Sequence, residues 1–309
     1  MSKSKGNVIY ADELVDFFGV DAVRYFVLHE MPFERDGVIT WELMVERMNS
    51  DLANILGNLV NRTISMSNKY FGGIVENKNV QGDFDDDLKA VVTGTKQKVA
   101  DKMANLRVAD SITEIFNLFR RCNRYIDETM PWILAKDEAQ KDRLATVLYN
   151  LVEGIVIGAS LLEPYMPETS QKIMDQLNAT TVPFDKMDTF GNYVSGTKVT
   201  EKPEILFARL DEAEVLEKAK ELMDAQAQAA AGEPVIDIEP KDEITFDDFM
   251  KMQFQVGEII ACEPVKKSKK LLTIQNRSGI IIKLSARTTR NSTDSIRSER
   301  NLEINEKSC

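Results

Sequence analysis

The stretch LVEGIVIGASLLEPYM, residues 151–166, is densely apolar and decides the fold class of this chain. The apolar character extends over residues 137–178, and the pattern is interrupted around Pro164 and Pro167. A helix that is apolar on every side is buried, because it has no face that water can cover favourably. The stretch therefore predicts a buried helix that breaks near these two prolines.

Three segments before this helix show apolar residues at intervals of three or four, which is the spacing of amphipathic helices. No strand pattern of comparable strength appears between residues 41 and 178. The sequence therefore predicts an antiparallel helical bundle of four or five members. The three segments run from Trp41 to Gly72 and Gly73, over residues 85–105, and over residues 107–130, where Pro131 ends the pattern.

Smaller regions flank the predicted bundle. Two short helical patterns, residues 10–18 and 20–30, are separated by Gly19, and Asp21 is placed to cap the second helix. Beyond the bundle the chain is first loop-rich, then rich in Ala and Glu, and then acidic. Its last part shows the alternation of β-branched and aromatic residues that is typical of a small barrel. We divide the chain into residues 1–40, a bundle over 41–210, a helical and acidic linker over 211–243, and a β segment over 244–309.

The composition limits the kinds of function that this chain can have. The 309 residues suffice for two or three domains, and a hydrophobic content of 43% is enough for an extensive core. The net charge of −11 repels nucleic acid on average, so any RNA contact needs a local basic patch. Three widely spaced cysteines favour a reducing, cytoplasmic compartment. We expect no signal peptide, and we find no uninterrupted apolar run long enough to span a bilayer, so no membrane partner is expected.

The chain has a single histidine, His29, in the stretch YFVLHEMPF. Any catalytic site of the Ser-His-Asp or Cys-His kind would have to use it. No glycine elbow or cysteine motif lies nearby, so we expect His29 to have a structural role.

Two lysines lie among small residues at the start of the chain, in MSKSKGNVI. Ser2, Ser4 and Gly6 would let the backbone approach a phosphate closely, and Lys3 and Lys5 would neutralise its charge. A solvated N-terminal tail is the alternative explanation.

The long helix that begins near Trp41 carries a polar stripe opposite its apolar one. Asn58 and Arg62 are four residues apart and share a face of that helix. Trp132 follows Pro131 at a helix end, where an indole can be partly exposed and can stack on an unpaired base. The residues alone leave a solvated stripe and ordinary core packing of Trp132 open. The stripe consists of Asn54, Asn58, Asn61, Arg62 and Ser65.

Two groups of basic residues are candidates for contact with a nucleic-acid backbone. One group lies on a predicted helix of the bundle and the other on a short segment near the C-terminus. A solvated basic surface is the alternative explanation for each. The groups are Arg120, Arg121 and Arg124, and Lys266, Lys267, Lys269 and Lys270.

Several of these stretches, in this order, resemble methionyl-tRNA synthetases, a family of class I aminoacyl-tRNA synthetases. MSKSKGNVI resembles the KMSKS loop of class I enzymes without its leading lysine, and GVDAVRYFVL followed by PFERDG resembles the stem-contact region after that loop. ETMPWILAK is similar to a motif of the anticodon-binding domain. VGEIIACEPVKKSKKLL is similar to the tRNA-binding oligonucleotide-binding (OB) fold of many bacterial members. The resemblance covers roughly residues 1–275.

The resemblance implies a mainly α fold. Its centre would be the antiparallel helical bundle of the anticodon-binding domain of class I synthetases. A small stem-contact region would precede the bundle, and an incomplete OB-like β segment would follow it.

The resemblance also implies a function, that of part of a methionine-tRNA ligase which binds the anticodon arm of tRNA(Met). Lys3 corresponds to the second motif lysine, which stabilises the charge that grows on the leaving pyrophosphate of ATP during methionyl-adenylate formation. Ser2 and Ser4 match the motif serines, and Lys5 lies just outside the motif.

The anticodon-reading residues are carried over by the same resemblance. Asn58 and Arg62 match an asparagine and an arginine that read anticodon bases in the family, within GNLVNR. Trp132 would supply the stacking surface, so the three together would read a CAU anticodon.

The first lysine of the KMSKS motif would precede Met1. We therefore expect the nucleotide-binding core, the methionine pocket and the zinc site of the family to lie upstream of this chain. ATP and Mg²⁺ would serve the full-length enzyme, no cofactor is expected on this part, and the chain alone should bind tRNA without aminoacylating it.

The sequence departs from the family beyond residue 276. Only IIIKL resembles a strand there, and the remainder is rich in Ser, Thr, Arg and Asn without periodicity. A reading-frame change near residue 276 would explain the departure. Because a half-built barrel leaves strand edges unpaired, the homodimer that the family forms through this domain does not transfer directly to this chain.

Three other hypotheses compete with the synthetase. A non-enzymatic tRNA-binding helical module would share the same surface, and a part of another class I synthetase would bind tRNA without preferring CAU. A protein-interaction bundle would bind no tRNA at all.

Overall fold

The computed structural model describes most of the chain, and the prediction of a mainly α fold is confirmed. The chain separates into two compact units, residues 1–234 and residues 235–309. The described residues are 9–31, 33, 36–231, 245–247, 259–264, 271–276 and 281–285. Side chains are described throughout these ranges except in residues 227–231, 259–264, 271–276 and 281–285.

Helices dominate the first unit. A π-helical segment, Met48–Gly57, joins two α-helices, so the chain is helical without a break from Trp41 to Phe71. Short 3₁₀ turns lie at Glu138–Gln140 and Phe184–Lys186. The α-helices are α1 (Ala11–Phe18), α2 (Val20–Glu30), α3 (Trp41–Arg47), α4 (Asn58–Phe71), α5 (Asp85–Ala104), α6 (Val108–Thr129), α7 (Pro131–Leu134), α8 (Lys141–Leu162), α9 (Pro167–Leu177) and α10 (Glu212–Ala231).

The first unit also contains a minimal sheet. Strands β1 (Ile74–Val75) and β2 (Thr197–Lys198) are antiparallel, with Ile74 opposite Lys198. Gly72, two residues before β1, has φ 59°, the left-handed conformation that favours glycine. The predicted end of the long helix at Gly72 is therefore present.

The described part of the second unit is an antiparallel sheet in the order β3–β4–β5. Cys262 of β3 lies opposite Ile274 of β4, and Thr273 of β4 lies opposite Lys283 of β5. The assignment of this segment to an OB-like fold stays a prediction. The strands are β3 (Ile259–Pro264), β4 (Leu271–Asn276) and β5 (Ile281–Ser285).

Helix α8 is the centre of the first unit. Every residue from Leu144 to Leu162 is buried, as the apolar stretch predicts. α4, α5, α6 and α9 pack around it, and the chain breaks between α8 and α9 at Pro164 and Pro167. The surrounding helices therefore present their outer faces to water and their inner faces to one shared core.

Two glycines let α8 approach its neighbours closely. A Cβ atom on Gly154 would lie 2.8 Å from the Cys122 sulfur of α6. A Cβ atom on Gly158 would overlap the Phe119 ring of the same helix. Burial also raises the pKa of the Cys122 thiol to about 12, so this cysteine is an inert core residue.

Buried polar groups fix how the helices are arranged. Asp85 at the start of α5 accepts two hydrogen bonds from the Arg143 guanidinium of α8, both of 2.7 Å. The Tyr125 hydroxyl of α6 donates to the same carboxylate at 2.6 Å. Burial by itself would raise the pKa of Asp85, but the hydrogen bonds from Arg143 and Tyr125 and the charge of Arg143 outweigh it and hold this pKa below its ordinary value.

The expectation that Asp21 caps its own helix was wrong. Gly19 is the N-cap of α2, and the Asp21 carboxylate instead accepts a 2.6 Å hydrogen bond from the backbone N–H of Thr169. Thr169 lies in the first turn of α9, whose N–H groups have no partner within that helix. Asp21 therefore joins α2 to the first turn of α9.

His29 is held by its surroundings in the way that a structural role requires. Its ring stacks on Tyr25 with 5.1 Å between the ring centroids. Its two ring nitrogens lie 2.7 Å from the Glu30 carboxylate and 3.2 Å from the Thr113 hydroxyl.

The expectation about apolar runs also needs correction. Among the described residues, the helical stretch Glu138–Leu162 is long and apolar enough to cross a membrane, with a mean hydropathy of 1.7 in its best window. Asn150 and Glu153 interrupt the run in the sequence without lowering that average enough. The whole window is buried within the helical unit, which is also the environment of a core helix.

We expect Gly158→Ala to lower the free energy of unfolding by about 1–3 kcal/mol, because the added methyl group overlaps the Phe119 ring in a close-packed core. Gly94→Ala is the matched control, since Gly94 is also helical and its Cβ atom would meet open space. That variant should be more stable than the native chain by up to about 1 kcal/mol. Urea denaturation of the native chain and the two variants measures these changes. Equal effects of the two substitutions would contradict the close contact between Gly158 and Phe119.

We expect Asp85→Asn to cost about 3–5 kcal/mol of stability near neutral pH, because it leaves the Arg143 charge buried without its partner. Since the pKa of Asp85 is lowered by folding, its contribution is present above the unfolded-state pKa and is lost as the pH falls through the native one. The difference between native chain and variant should therefore shrink below about pH 4.

Urea titrations at several pH values measure this difference. Asp86→Asn, a change at the exposed neighbour of Asp85, is the control and should have little effect. A difference for Asp85→Asn that does not vary with pH would contradict the assignment.

Candidate nucleic-acid interface

A shallow depression of about 230 Å³ lies on the surface between α4 and α7. One face of α4 forms its floor, and the indole of Trp132 forms one side. Because residues three, four, seven and eight apart lie on one side of a helix, this part of α4 presents five side chains to the same space. The lining residues are Arg62, Ser65, Met66, Lys69, Tyr70 and Trp132.

The turn between α6 and α7 places Trp132 at the surface. Met130 adopts the left-handed conformation at φ 46°, which ends α6, and Pro131 occupies the first position of α7. Pro131 is buried, whereas the Trp132 side chain is 42% exposed. The predicted partial exposure of this indole at a helix end is therefore present.

Arg62 lies beside Trp132 and is held by one acidic side chain. Its guanidinium Nη2 lies 3.6 Å from Oδ1 of Asp127, which is in the last turn of α6. Both partners are in contact with water, so the pair is weak and screened by salt. Arg62 is therefore oriented along the surface and remains able to exchange its partner.

Asn58 is exposed on α4, one turn before Arg62. It does not line the depression that Arg62 and Trp132 share. The structure thus brings Arg62 and Trp132 together and places Asn58 at the neighbouring position along the same helix face. The roles of these three residues in reading bases stay predictions.

Sequence reasoning missed Lys69 and Tyr70, which line the far end of the depression. The Lys69 ammonium lies over the Tyr70 ring, 5.2 Å from its centroid. In the sequence these two residues stand just before Gly72 and Gly73, which mark the end of the helix. Lys69 and Tyr70 follow Arg62 by seven and eight residues, a spacing that returns to the same face of a helix. This spacing was the sequence signal that could have identified them.

The three arginines of α6 do not form one free basic cluster. Arg121 is only 11% exposed and contacts Asp87 at 2.5 Å and Glu128 at 3.0 Å. Arg124 is 76% exposed and also contacts Glu128, at 2.7 Å. Arg121 is therefore largely committed within the protein, and Arg124 keeps the greater access to solvent.

Arg120 belongs to a separate network around Asp51, which lies in the π-helical segment. It contacts the Asp51 carboxylate at 3.4 Å, and the Tyr25 hydroxyl donates to the same group at 2.9 Å. Burial, together with the Asp51 charge, raises the pKa of Tyr25 and keeps its hydroxyl protonated. The contact of Arg120 with a tRNA backbone stays a prediction, as it does for Arg121 and Arg124.

The remaining predicted site residues lie outside the described ranges. These are the loop residues Ser2, Lys3, Ser4 and Lys5, and the lysines Lys266, Lys267, Lys269 and Lys270. Within the described residues, no group of three or more His, Cys, Asp or Glu side chains is arranged to hold a metal ion.

Two family models match this chain. Residues 1–64 match class I tRNA synthetases (M), and residues 75–227 match the anticodon-binding domain of methionyl-tRNA ligase. Arg62 lies in the first range and Trp132 in the second.

Curated relatives agree with these matches. The methionine–tRNA ligase of Clostridium perfringens is 43% identical over 275 residues, which is 89% of this chain and 42% of the relative. The Bacillus subtilis methionine–tRNA ligase is 42% identical over 284 residues, with the same two coverages. The chain thus spans about two fifths of the length of the curated relatives that it matches.

A solved structure shares both the fold and the sequence similarity. Methionyl-tRNA synthetase of Mycobacterium tuberculosis in complex with methionyl-adenylate matches with a TM-score of 0.63 and 36% identity, over 68% of this chain and 41% of the other. Together with the two family models and the curated relatives, this match shows that the chain belongs to the methionyl-tRNA synthetase family.

Proposed function

We propose that this chain binds the anticodon arm of tRNA(Met) and is the tRNA-reading part of a methionine-tRNA ligase. The observation that carries the proposal is the depression in which Arg62 and Trp132 lie side by side on a rigid helical scaffold. The proposal is supported by the match of residues 75–227 to the anticodon-binding domain of methionyl-tRNA ligase.

The chemistry of the surface suits an unpaired loop. Sequence-specific proteins read single-stranded RNA by stacking its bases on aromatic rings and by hydrogen bonding to their edges. Trp132 offers a ring, Arg62 offers several donors in a plane, and the Asn58 amide offers both a donor and an acceptor. None of the six residues that line the depression is acidic, although the whole chain carries a net charge of −11.

The proposal includes the role of the N-terminal loop in the whole enzyme. Lys3 would stabilise the charge on the leaving pyrophosphate of ATP while methionyl adenylate forms, with Ser2, Ser4 and Lys5 beside it. Mg²⁺ would accompany ATP, and methionine, ATP and the zinc of the family would be held outside this chain. Lys266, Lys267, Lys269 and Lys270 would add tRNA affinity that does not depend on sequence.

Location and assembly complete the proposal. A cytoplasmic location suits a tRNA ligase and is supported by the unpaired, buried Cys122. The homodimer that the family forms through its C-terminal domain is not part of the proposal, because this sequence departs from the family pattern beyond residue 276.

We expect Trp132→Ala to weaken binding of a tRNA with a CAU anticodon by about 1–3 kcal/mol, because one stacking surface is lost. Filter binding or fluorescence anisotropy with the full chain measures the change. Phe184→Ala is the matched control, since Phe184 is a similarly exposed aromatic residue outside the depression, and it should bind as the native chain does. Unchanged affinity for Trp132→Ala would refute the stacking role.

We also expect the chain to prefer tRNA with a CAU anticodon over otherwise identical tRNAs with other anticodons. Arg62→Ala should reduce that preference as well as the affinity, since donors to base edges carry sequence information and phosphate contacts do not. Competition binding with the altered tRNAs measures the preference. Equal affinity for all anticodons would favour another class I synthetase or a general tRNA-binding module.

A further inference from the structure

We propose that a cavity of about 690 Å³ in the helical unit binds a small amine with an aromatic body, and that the Glu163 carboxylate at its edge pairs with the ammonium group. The cavity lies between α2, α5, the end of α8 and the loop that follows α9. The proposal concerns a second site on the chain and does not depend on the proposed function.

The cavity and the depression beside Trp132 lie at opposite ends of α6. Val108, the first residue of that helix, lines the cavity, whereas Trp132 follows its last residue, Thr129, by three positions. The 22 residues of α6 span about 33 Å. A small molecule in the cavity therefore does not reach the depression.

The cavity has the size and the walls of a small-molecule site. Pockets for drug-sized ligands have volumes of about 300–1,000 Å³ and are mostly apolar. Three side chains of the lining, Leu161, Val182 and Met187, belong to the buried core of the unit. Because core residues form part of its wall, the cavity reaches inward and can remove much of a small apolar ligand from water.

The side chains nearer to solvent favour an aromatic ligand. Met103 and Phe184 line the cavity and are 39% and 52% exposed. Thioethers make favourable contacts with aromatic rings, and aromatic rings pack well against one another. Met187 adds a second thioether from the buried side. An aromatic ring in the cavity would therefore find suitable neighbours at both depths.

Contacts of Lys96 hold the loop that forms one edge of the cavity. Its ammonium lies 5.3 Å from the centroid of the Phe184 ring and 2.8 Å from the Asp188 carboxylate. It also donates to the Asp185 carbonyl oxygen at 3.1 Å. Because Lys96 belongs to α5, these contacts tie the loop to another wall of the cavity. Binding to such a preformed cavity costs less entropy.

Several polar groups of the lining are already satisfied within the protein. The Ser160 hydroxyl donates to the Val156 carbonyl oxygen at 2.7 Å and accepts a hydrogen bond from the Val182 N–H at 3.0 Å. The Tyr165 hydroxyl lies 2.8 Å from the hydroxyl of Ser111. These groups therefore do not require a ligand as a partner.

The two charged residues of the lining differ in their availability. Arg24 donates hydrogen bonds to the carbonyl oxygens of Tyr165 at 2.8 Å and Pro164 at 2.9 Å. Glu163 is exposed, and among the described residues its carboxylate has neither a hydrogen-bond donor nor an ion-pair partner. Glu163 is also the C-cap of α8, where the helix end carries a partial negative charge. The edge of the cavity therefore favours a ligand with a positive charge.

Dansylcadaverine, which joins a naphthalene fluorophore to a primary amine, is the probe that tests the site. We expect the full chain to bind it with a blue shift and a gain in fluorescence, because the fluorophore leaves water. Its N-acetylated form carries no ammonium charge and should bind the native chain about 2- to 5-fold more weakly. Glu163→Gln should weaken binding of dansylcadaverine by the same factor and leave binding of the N-acetylated form unchanged.

A substitution that fills the cavity locates the probe. Ala100 lines the cavity from α5, and Ala100→Phe should weaken binding by about 5- to 150-fold because the added ring occupies the space of the ligand. Ala90→Phe is the matched control, since Ala90 is exposed on the same helix and lies outside the cavity. It should bind the probe as the native chain does, and circular dichroism checks that both variants are folded.

The outcomes decide the proposal independently of tRNA binding. If the native chain does not bind dansylcadaverine, or if folded Ala100→Phe binds it as tightly as Ala90→Phe does, the cavity is not the site. If the native chain and Glu163→Gln bind the probe equally, the pairing of Glu163 with the ammonium group is wrong. A stem-loop RNA with a CAU loop should leave the probe bound, and displacement of the probe would make the cavity part of the RNA-binding surface and overturn the proposal.

Discussion

The burial of α8 on every side is the constraint on which the rest of this structure depends. An apolar helix of this length is stable in water only if the rest of the protein covers it, and α4, α5, α6 and α9 pack around it. Each of them must then turn an apolar face inward. The glycines at 154 and 158 set how closely α6 approaches. A rigid scaffold follows from this single requirement, because close-packed interiors deform little.

The same constraint explains where recognition can take place. Since the inner faces are committed to the core, a partner can be recognised only on outer faces and at helix ends, such as the place where α4 and α7 meet. The ionic contacts of Asp85 and Asp51 lie inside or at the edge of the bundle and fix the relative positions of its helices. The depression beside Trp132 thus lies on a surface whose geometry is fixed by the packed helices, and binding to such a preformed surface costs less entropy.

Much of this could be read from the sequence, and the misses have physical reasons. Apolar periodicity located the helices of the bundle, and Pro131 with Trp132 located the exposed indole. Long-range polar contacts could not be read, because a carboxylate such as Asp21 can cap a helix 148 residues away as readily as its own. The π-helical segment was also missed, since its apolar spacing resembles that of an α-helix. Lys69 and Tyr70 were overlooked because they end a helix.

Asp127 already forms an ion pair with Arg62, the arginine beside the Trp132 indole, so it competes with any ligand of that arginine. A ribonucleotide that engages Arg62 has to displace a carboxylate from it, so the gain is the difference between two partners rather than the full value of one. A base edge that makes poor hydrogen bonds to the Arg62 guanidinium interacts with it less favourably than Asp127 already does. An acidic neighbour that lowers affinity for every RNA can therefore sharpen the choice among them.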